Sequence, residues 1–216
     1  MTFQPSRCQR CTAHAPRLWG NTPPERLGSV PRLAALYRDL LDHLHLRDVL
    51  VIGNSMGGWT AAEIGLLNTP GVSGLVLIDP VGIKVAGHPI ADFYRLTMDE
   101  VFDRSFHNPG PFRVDLATLP PQAQAIAAGN RAALSAYAGT SMCDPTLAEK
   151  LCAVTTPTLV LWGEADRIAD SEYGRAYAAA IPNAQFALLA ETGHSPQLET
   201  PEQTLDAIMS VFPDMH

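Results

Sequence analysis

The sequence lacks any hydrophobic run long enough to cross a membrane, and its first residues lack the apolar core of a secretory signal peptide. A membrane-spanning helix needs roughly 18 to 20 consecutive apolar residues, and a signal peptide needs an apolar segment of about 7 to 15. Hydrophobic residues make up 46% of the 216 positions and charged residues 17%, which is typical of globular enzymes. These features predict a cytoplasmic protein that does not associate with membranes.

Positive charge is also scarce. The chain has 15 lysines and arginines and 22 aspartates and glutamates, which gives a net charge of −7 at pH 7. A protein with this charge repels polyanions such as nucleic acids and anionic membrane surfaces. The composition therefore excludes nucleic acid as a partner and favours a small neutral or weakly charged molecule as the substrate.

Cysteine is rare, with four residues in the chain, at positions 8, 11, 143 and 152. Cys8 and Cys11 form a C-x-x-C pair, a spacing found in zinc sites and redox motifs. No second pair follows at zinc-site spacing, and no strand–helix–strand pattern surrounds the first pair. We expect reduced thiols without a catalytic role, and neither a metal site nor a cofactor.

The most informative stretch lies between residues 48 and 65, where an apolar run at 49–52 ends in a G-x-S-x-G pattern and a helix-like segment follows. This order predicts a strand, a tight turn that presents Ser55 as a nucleophile, and a helix. A Cβ at Gly53 or Gly57 should collide with neighbouring backbone, and Ser55 should take strained dihedral angles. The backbone N–H of Met56, at the start of the helix, should bind a developing oxyanion.

Three further apolar runs, at 74–79, 157–162 and 184–189, alternate with amphipathic helical patterns. Strand, helix and strand in close succession predict right-handed crossovers and therefore a parallel sheet of about four strands flanked by helices. Between residues 81 and 156 the chain is helical without a convincing strand, with predicted helices at 91–104 and 121–138.

These patterns predict three regions. An irregular segment covers residues 1–26, a core is formed by residues 27–80 and 157–216, and a helical insertion covers residues 81–156. Because the insertion leaves the carboxyl end of a strand, it should cover the site as a lid. The alternative is a structural extension that packs elsewhere on the core.

Ser55, Asp166 and His194 each follow the carboxyl end of a different predicted strand, so all three should meet at one edge of the sheet. His194 would take the Ser55 proton during attack and return it to the leaving group, while Asp166 would orient the imidazole. The sequence offers rival acids: Glu164 and Asp170 lie nearby, and Asp79 ends the strand after that of the nucleophile. The remaining histidines have no identifiable partner.

The segments at 53–58, 161–167 and 192–199, in the order Ser, Asp, His, resemble those of the α/β-hydrolase fold family. The resemblance extends from about residue 23 to residue 212 and implies a serine hydrolase that uses no cofactor. Gly-Asn-Ser-Met-Gly-Gly is most similar to serine-dependent C–C bond (meta-cleavage product) hydrolases. This implies substrate-binding roles for Asn54 and for Arg131 in the lid. Ser195 stands where that subgroup tends to have tryptophan, so an esterase is an equal alternative.

The family also has a His-Gly loop ahead of the nucleophile that supplies a second oxyanion donor, and no His-Gly pair precedes Ser55 here. The resemblance therefore implies an N-terminally truncated fold in which the strand at 49–52 becomes an apolar edge, open to association. Two hypotheses follow. The chain is an active serine hydrolase, or it is a catalytically impaired or silent fragment that persists as an oligomer, for which the strand at 49–52 offers a homodimer interface.

Overall fold

The computed structural model describes residues 27–213, so the predicted irregular segment 1–26, with Cys8 and Cys11, lies outside the described residues. The strands are β1 (Val49–Asn54), β2 (Val72–Ile78), β3 (Thr158–Gly163) and β4 (Gln185–Leu189). The helices are α1 (Val30–His43), α2 (Met56–Leu66), α3 (Met98–Ser105), α4 (Pro121–Ala138), α5 (Leu147–Lys150), α6 (Ser171–Ala179), α7 (Pro196–Glu199) and α8 (Pro201–Val211). None of these helices combines the length and apolarity needed to cross a bilayer.

The four strands are parallel, as the sequence predicts, and they lie in the order β1, β2, β3, β4. Their registers align the carboxyl ends, because Asn54 pairs with Ile78 and Gly163 pairs with Leu189. All residues of β3 are buried, as expected for a central strand with helices over both faces. One edge of the sheet therefore collects every loop that carries a predicted site residue.

Alternating residues of the strands fill two separate hydrophobic clusters. Leu75 and Leu77 of β2 belong to a cluster that includes residues of α1, α2 and α6. Val76 and Ile78 belong to the other, which includes Ile208 of α8. Because successive side chains of a strand point to opposite faces, this division shows that helices cover both sides of the sheet.

The chain between β2 and β3 contains α3, α4, α5 and short 3₁₀ turns, and no strand element is found there. The prediction of a helix at 121–138 is confirmed. The predicted helix at 91–104 is wrong at its start, since α3 begins only at Met98. Thr97 ends the preceding irregular segment by forming a capping box with Glu100, and its hydroxyl accepts from the Glu100 N–H.

Strand β1 lies at one side of the sheet and, within residues 27–213, pairs only with β2. Its residues are half-buried, except that Ile52 is 48% exposed. In contrast, β2 is buried from Gly74 to its end. Within residues 27–213, β1 is therefore an outer strand of the sheet, and the predicted association through it stays a prediction.

Candidate functional site

Ser55 lies in the turn between β1 and α2, with φ of 55° and ψ of −119°. This conformation is costly for a residue with a side chain, and it confirms the strained turn that the sequence predicts. Three backbone hydrogen bonds hold it. The Ser55 N–H donates to Ile78 O at 2.9 Å, and Ser55 O accepts from the Trp59 N–H at 3.1 Å and from the Val81 N–H at 3.3 Å. Within the described residues the Ser55 hydroxyl makes no hydrogen bond. In free enzymes, catalytic hydrogen bonds often tighten only when substrate binds.

The glycines around Ser55 do not all serve the same purpose. A Cβ on Gly53 would lie 2.1 Å from Gly57 O, which no packing adjustment can accommodate. A Cβ on Gly57 would meet no atom of residues 27–213 within 4 Å, so the prediction that Gly57 is needed for space is wrong. Gly58 is crowded instead, because its Cβ would lie 2.8 Å from Pro80 Cβ. Glycine is therefore required at position 53, because the backbone of Gly57 leaves no room there for a Cβ.

We expect Gly53→Ala to lower the free energy of unfolding by about 3 kcal/mol or more, because the added methyl group overlaps backbone atoms. Gly57→Ala is the matched control, with the same added atom and open space around it, and should change stability little. Urea denaturation of both variants measures the difference. Equal midpoints for the two variants would contradict the turn geometry.

The backbone N–H of Met56 is the first of α2, and no acceptor among residues 27–213 binds it. Helix N-termini leave such donors free and carry a partial positive charge. The Met56 N–H thus has the properties of the predicted oxyanion donor. The resemblance implies that the second oxyanion donor comes from a loop ahead of the nucleophile. Of the chain ahead of Ser55, residues 1–26 lie outside the described part.

Asp166 and His194 form a short, buried polar contact at this edge of the sheet. His194 Nδ1 lies 2.7 Å from Asp166 Oδ2, and the two residues are only 8% and 3% exposed. Asp166 Oδ1 accepts the Ile168 N–H at 2.7 Å, which fixes the carboxylate in its loop. The pair therefore has the contact that an orienting acid makes with a general base.

The rival acids are placed differently. Glu164 is exposed, and Asp170 caps α6 by accepting from the Tyr173 N–H at 2.9 Å while it also pairs with His88 at 2.8 Å. Asp79 is the exception, because an oxygen of Asp79, an oxygen of Asp166 and a ring nitrogen of His194 all lie within 4.8 Å of one another. Its carboxyl group is fully buried.

These three side chains are donors of a kind that can hold a metal ion. Ligands about 2.1 Å from a tetrahedral ion lie roughly 3.4 Å apart. The 2.7 Å separation of His194 Nδ1 and Asp166 Oδ2 is instead the length of a charge-assisted hydrogen bond. The geometry fits a hydrogen-bonded relay better than a metal centre.

Asn54, the last residue of β1, joins the two strand ends and the histidine loop. Its Nδ2 donates to Ile78 O at 3.2 Å and to His194 O at 2.9 Å, and its Oδ1 accepts from Gln197 Nε2 at 3.3 Å. Asn54 therefore links the loop that carries His194 to the turn that carries Ser55. Its predicted contact with substrate stays a prediction.

Arg131 lies in α4 and is half-buried. Its Nη2 donates to Phe93 O at 3.0 Å and Tyr94 O at 2.8 Å, and its guanidinium lies 5.2 Å from the centre of the Phe93 ring. Within the described residues, Arg131 thus anchors the irregular segment before α3. The predicted role in substrate binding stays a prediction.

The insertion contacts both loops that carry the acid and the base. Arg104 O, near the end of α3, accepts the Arg167 N–H at 3.0 Å, and Ser105 O accepts the His194 N–H at 2.7 Å. Gly193 permits this approach, because a Cβ there would lie 2.3 Å from Ser105 O. The contacts place the end of α3 beside the loops of the acid and the base, and the role of the insertion as a lid stays a prediction.

Glu199 is a residue that the sequence patterns did not single out. Its carboxylate accepts three backbone N–H groups: Gly193 at 2.7 Å, Asn108 at 2.8 Å and His107 at 3.1 Å. It therefore ties the insertion to the histidine loop through one charged group. In the sequence, Glu199 could have been noticed as an acidic residue in the short helix that follows His194.

We expect Glu199→Gln to lower the free energy of unfolding by about 2 kcal/mol, because the amide is uncharged and directs a donor towards other donors. For a chain of this size that corresponds to a drop of about 4 to 8 °C in Tm. Calorimetry measures the change, with Glu164→Gln as the matched control for an exposed carboxylate. A melting temperature as high as that of the control would contradict the assigned contacts.

Comparison with protein families matches residues 1–207 to the family described as "Alpha/beta hydrolase family". The match begins at residue 1, so the expectation that the similarity starts near residue 23 is wrong. A 2-hydroxy-6-oxononadienedioate/2-hydroxy-6-oxononatrienedioate hydrolase of Cupriavidus pinatubonensis is 29% identical over 204 residues, covering 84% of this chain and 68% of that protein. Lipase 1 of Psychrobacter immobilis is 26% identical over 219 residues, covering 85% and 65%.

Solved structures give the same architecture. A variant of a meta-cleavage product hydrolase superposes with a TM-score of 0.72 at 17% identity, over 90% of this chain and 75% of that one. A thermophilic esterase from Thermogutta terrifontis superposes with a TM-score of 0.66 at 26% identity, over 88% and 74%. Together with the four parallel strands, these comparisons confirm the predicted fold class.

Proposed function

The chain belongs to the alpha/beta hydrolase family, and from that premise we propose that it is a serine hydrolase with Ser55 as nucleophile, His194 as general base and Asp166 as orienting acid. The observation that carries the proposal is the 2.7 Å contact between His194 Nδ1 and Asp166 Oδ2, at the sheet edge where the strained Ser55 turn lies. Its substrate would be a small ester or a ring-fission product cleaved at a C–C bond.

In the proposed reaction, His194 Nε2 removes the proton of Ser55 as the serine oxygen attacks a carbonyl carbon. Nδ1 keeps its proton and donates to Asp166, which stabilises the imidazolium that forms. The Met56 N–H stabilises the negative oxygen of the intermediate. His194 then returns the proton to the leaving group, and a water molecule cleaves the acyl-enzyme by the same steps in reverse.

Two relatives support the two substrate classes. The Cupriavidus pinatubonensis protein is named as a hydrolase of a ring-fission product, and Lipase 1 is named as a lipase. Asn54 and Arg131 favour the first class by motif, whereas Ser195 departs from it. Two parallel assays separate the two substrate classes. One uses a p-nitrophenyl ester, and the other uses a 2-hydroxy-6-oxo-dienoate, whose cleavage is measured as a loss of absorbance.

A fluorophosphonate probe tests the proposal directly, because it forms a covalent bond only with an activated serine. We expect labelling of the folded full chain and its localisation to Ser55 by peptide mass analysis. Heat-denatured protein is the control and should not be labelled. Folded protein that reacts no faster than the denatured control would refute a serine hydrolase.

A second candidate is an impaired or silent hydrolase that persists as a homodimer through β1. The 48% exposure of Ile52, on a strand that pairs only with β2 within residues 27–213, favours it. Sedimentation equilibrium of the full chain and of Ile52→Lys tests this arrangement. A dimer that the substitution converts to a monomer supports it, and a monomer at all concentrations excludes it.

A further inference from the structure

Beside the contact between Asp166 and His194 lies a second carboxyl group that the proposed mechanism does not use. Asp79 ends β2 at the same edge of the sheet, is 0% exposed, and lies within 4.8 Å of both residues as measured between their polar atoms. Its Oδ1 accepts the Gly163 N–H at 2.8 Å. Its Oδ2 is buried without a hydrogen-bond partner among the described residues.

The numbers of donors around the two carboxyl groups differ. Asp166 has three donors, the Ile168 and Ala169 N–H groups on Oδ1 and His194 Nδ1 on Oδ2, so both of its oxygens accept hydrogen bonds. From residues 27–213, Asp79 receives only one, on Oδ1. Hydrogen bonds to the charged form favour ionisation, and burial without them disfavours it. The unequal sets of donors favour the neutral form at Asp79 rather than at Asp166.

We propose that Asp79 is a positioning residue: its carboxyl group keeps its proton and donates a hydrogen bond from Oδ2 to the Asp166 carboxylate. The effect on catalysis rests on the proposed function. The shared proton would spread the negative charge of Asp166 over both carboxyl groups, which lowers the charge that faces His194. Two carboxylate oxygens cannot bond without a proton between them, so this proton also satisfies the buried Oδ2 atom. Burial first, and the charge of Asp166 second, raise the pKa of Asp79 well above its ordinary value.

Other charged groups near the pair act elsewhere. The loop after β3 carries Glu164, which is exposed, and Arg167, whose guanidinium donates to the carbonyls of Asp103 and Phe106. From α3, Arg104 Nη1 donates to Arg167 O, and from α7 the Glu199 carboxylate accepts backbone N–H groups. Among the described residues, His194 and Asp166 are the titratable groups that face Asp79.

Asp79→Asn is the central variant. Asparagine removes the titrating proton, keeps a donor and an acceptor in the same shape, and tolerates the φ of 42° at this position. The first readout is stability, which needs no activity. An unfolded aspartate titrates near pH 3.9. Between that pH and the raised pKa of native Asp79, the native state holds one proton more than the unfolded state.

The contribution of Asp79 to wild-type stability should therefore be fully present below about pH 3.9 and be lost as the pH rises towards the raised pKa of Asp79. Relative to Asp79→Asn, the unfolding equilibrium constant of the wild type should grow by up to tenfold per pH unit. Glu63→Gln, which alters another buried carboxyl group, serves as the control and should leave the Asp79 effect in place. A constant ratio between wild type and Asp79→Asn from pH 5 to 8 would mean an ionised Asp79 and would overturn the proposal.

A second measurement works even if the variant fails to fold. Infrared spectra of wild-type protein labelled with ¹³C in the aspartate side chains should show a protonated carboxyl band at pH 7. The label separates this band from that of Glu63, whose pKa is also raised by burial. Absence of a labelled band at neutral pH would refute a neutral Asp79.

The third readout is the pH dependence of kcat/KM, whose acid limb reports protonation of the general base. In Asp79→Asn the pH of this acid limb should stay the same, because the amide still donates to Asp166. The rate should be lower, because an amide is the weaker donor. Asp79→Ala removes the donor, concentrates the charge on Asp166 and should move the limb up by about one pH unit. A downward shift in Asp79→Asn would mean that a negative charge had been removed and would count against the proposal. If Ser55-dependent activity is absent, the proposed function fails, and the stability and infrared readouts still decide the state of Asp79.

Discussion

Replacing Ser55 with alanine is expected to reduce kcat for any substrate of this chain by about five orders of magnitude or more. The hydroxyl oxygen is the attacking atom in the proposed reaction, and alanine leaves no group that can form the acyl-enzyme. The φ of 55° at this position is equally unfavourable for alanine, so the fold should be kept at a similar stability. Initial rates with a p-nitrophenyl ester, together with a thermal melt, measure both quantities.

The companion control is Ser195→Ala, which removes a hydroxyl beside His194 that has no proposed chemical role. It should retain most of the activity. Residual activity of Ser55→Ala within tenfold of wild type would show that another nucleophile, or a contaminating enzyme, is responsible. The assignment of Ser55 as the nucleophile would then be wrong, while the fold of the chain would be unaffected.

The second large effect concerns Asp166. Asparagine has the same shape, but its amide favours the wrong imidazole tautomer, so His194 can no longer accept the Ser55 proton efficiently. In Ser-His-Asp triads this change reduces kcat by about 10⁴-fold. We expect a loss of that order for Asp166→Asn, with a much smaller change in KM, measured by the same ester assay.

Glu164→Gln is the matched comparison for Asp166→Asn, because it neutralises a carboxylate two residues away that is exposed. It should change kcat by less than about threefold, as expected for a screened surface charge. A loss in Asp166→Asn no larger than that of Glu164→Gln would remove Asp166 from the relay. Asp79 would then be the carboxyl group to test as the orienting acid, given its position within 4.8 Å of His194.

Much of this fold could be predicted, because each strand is a short apolar run bounded by turn residues. The predicted runs at 157–162 and 184–189 differ from β3 and β4 by one residue at each boundary or less. The start of α3 was mispredicted because residues 91–97 have a helix-compatible composition, while the capping box at Thr97 decides where the helix begins. The role of Gly57 was mispredicted because sequence shows that a glycine is present but not which atoms surround it.

The organisation of the candidate site was predictable for a topological reason. Parallel strands place their carboxyl ends together, so residues that follow β1, β3 and β4 must meet at one edge. The choice between Asp166, Glu164 and Asp170 needed more than this rule. It depended on which side chain reaches His194 Nδ1, and only the packed loops show that distance.

Ser55 and its turn, the order of the three proposed catalytic residues, the parallel sheet and the helical insertion were determined by the sequence itself, since they follow from local pattern and chain order. The tertiary structure alone decided that Asn54 holds the histidine loop and that Glu199 joins the insertion to Gly193. It also decided that Asp79 is buried against Asp166. The reason is physical: burial and hydrogen-bond partners depend on residues far apart in the chain, and no local pattern records which of them meet.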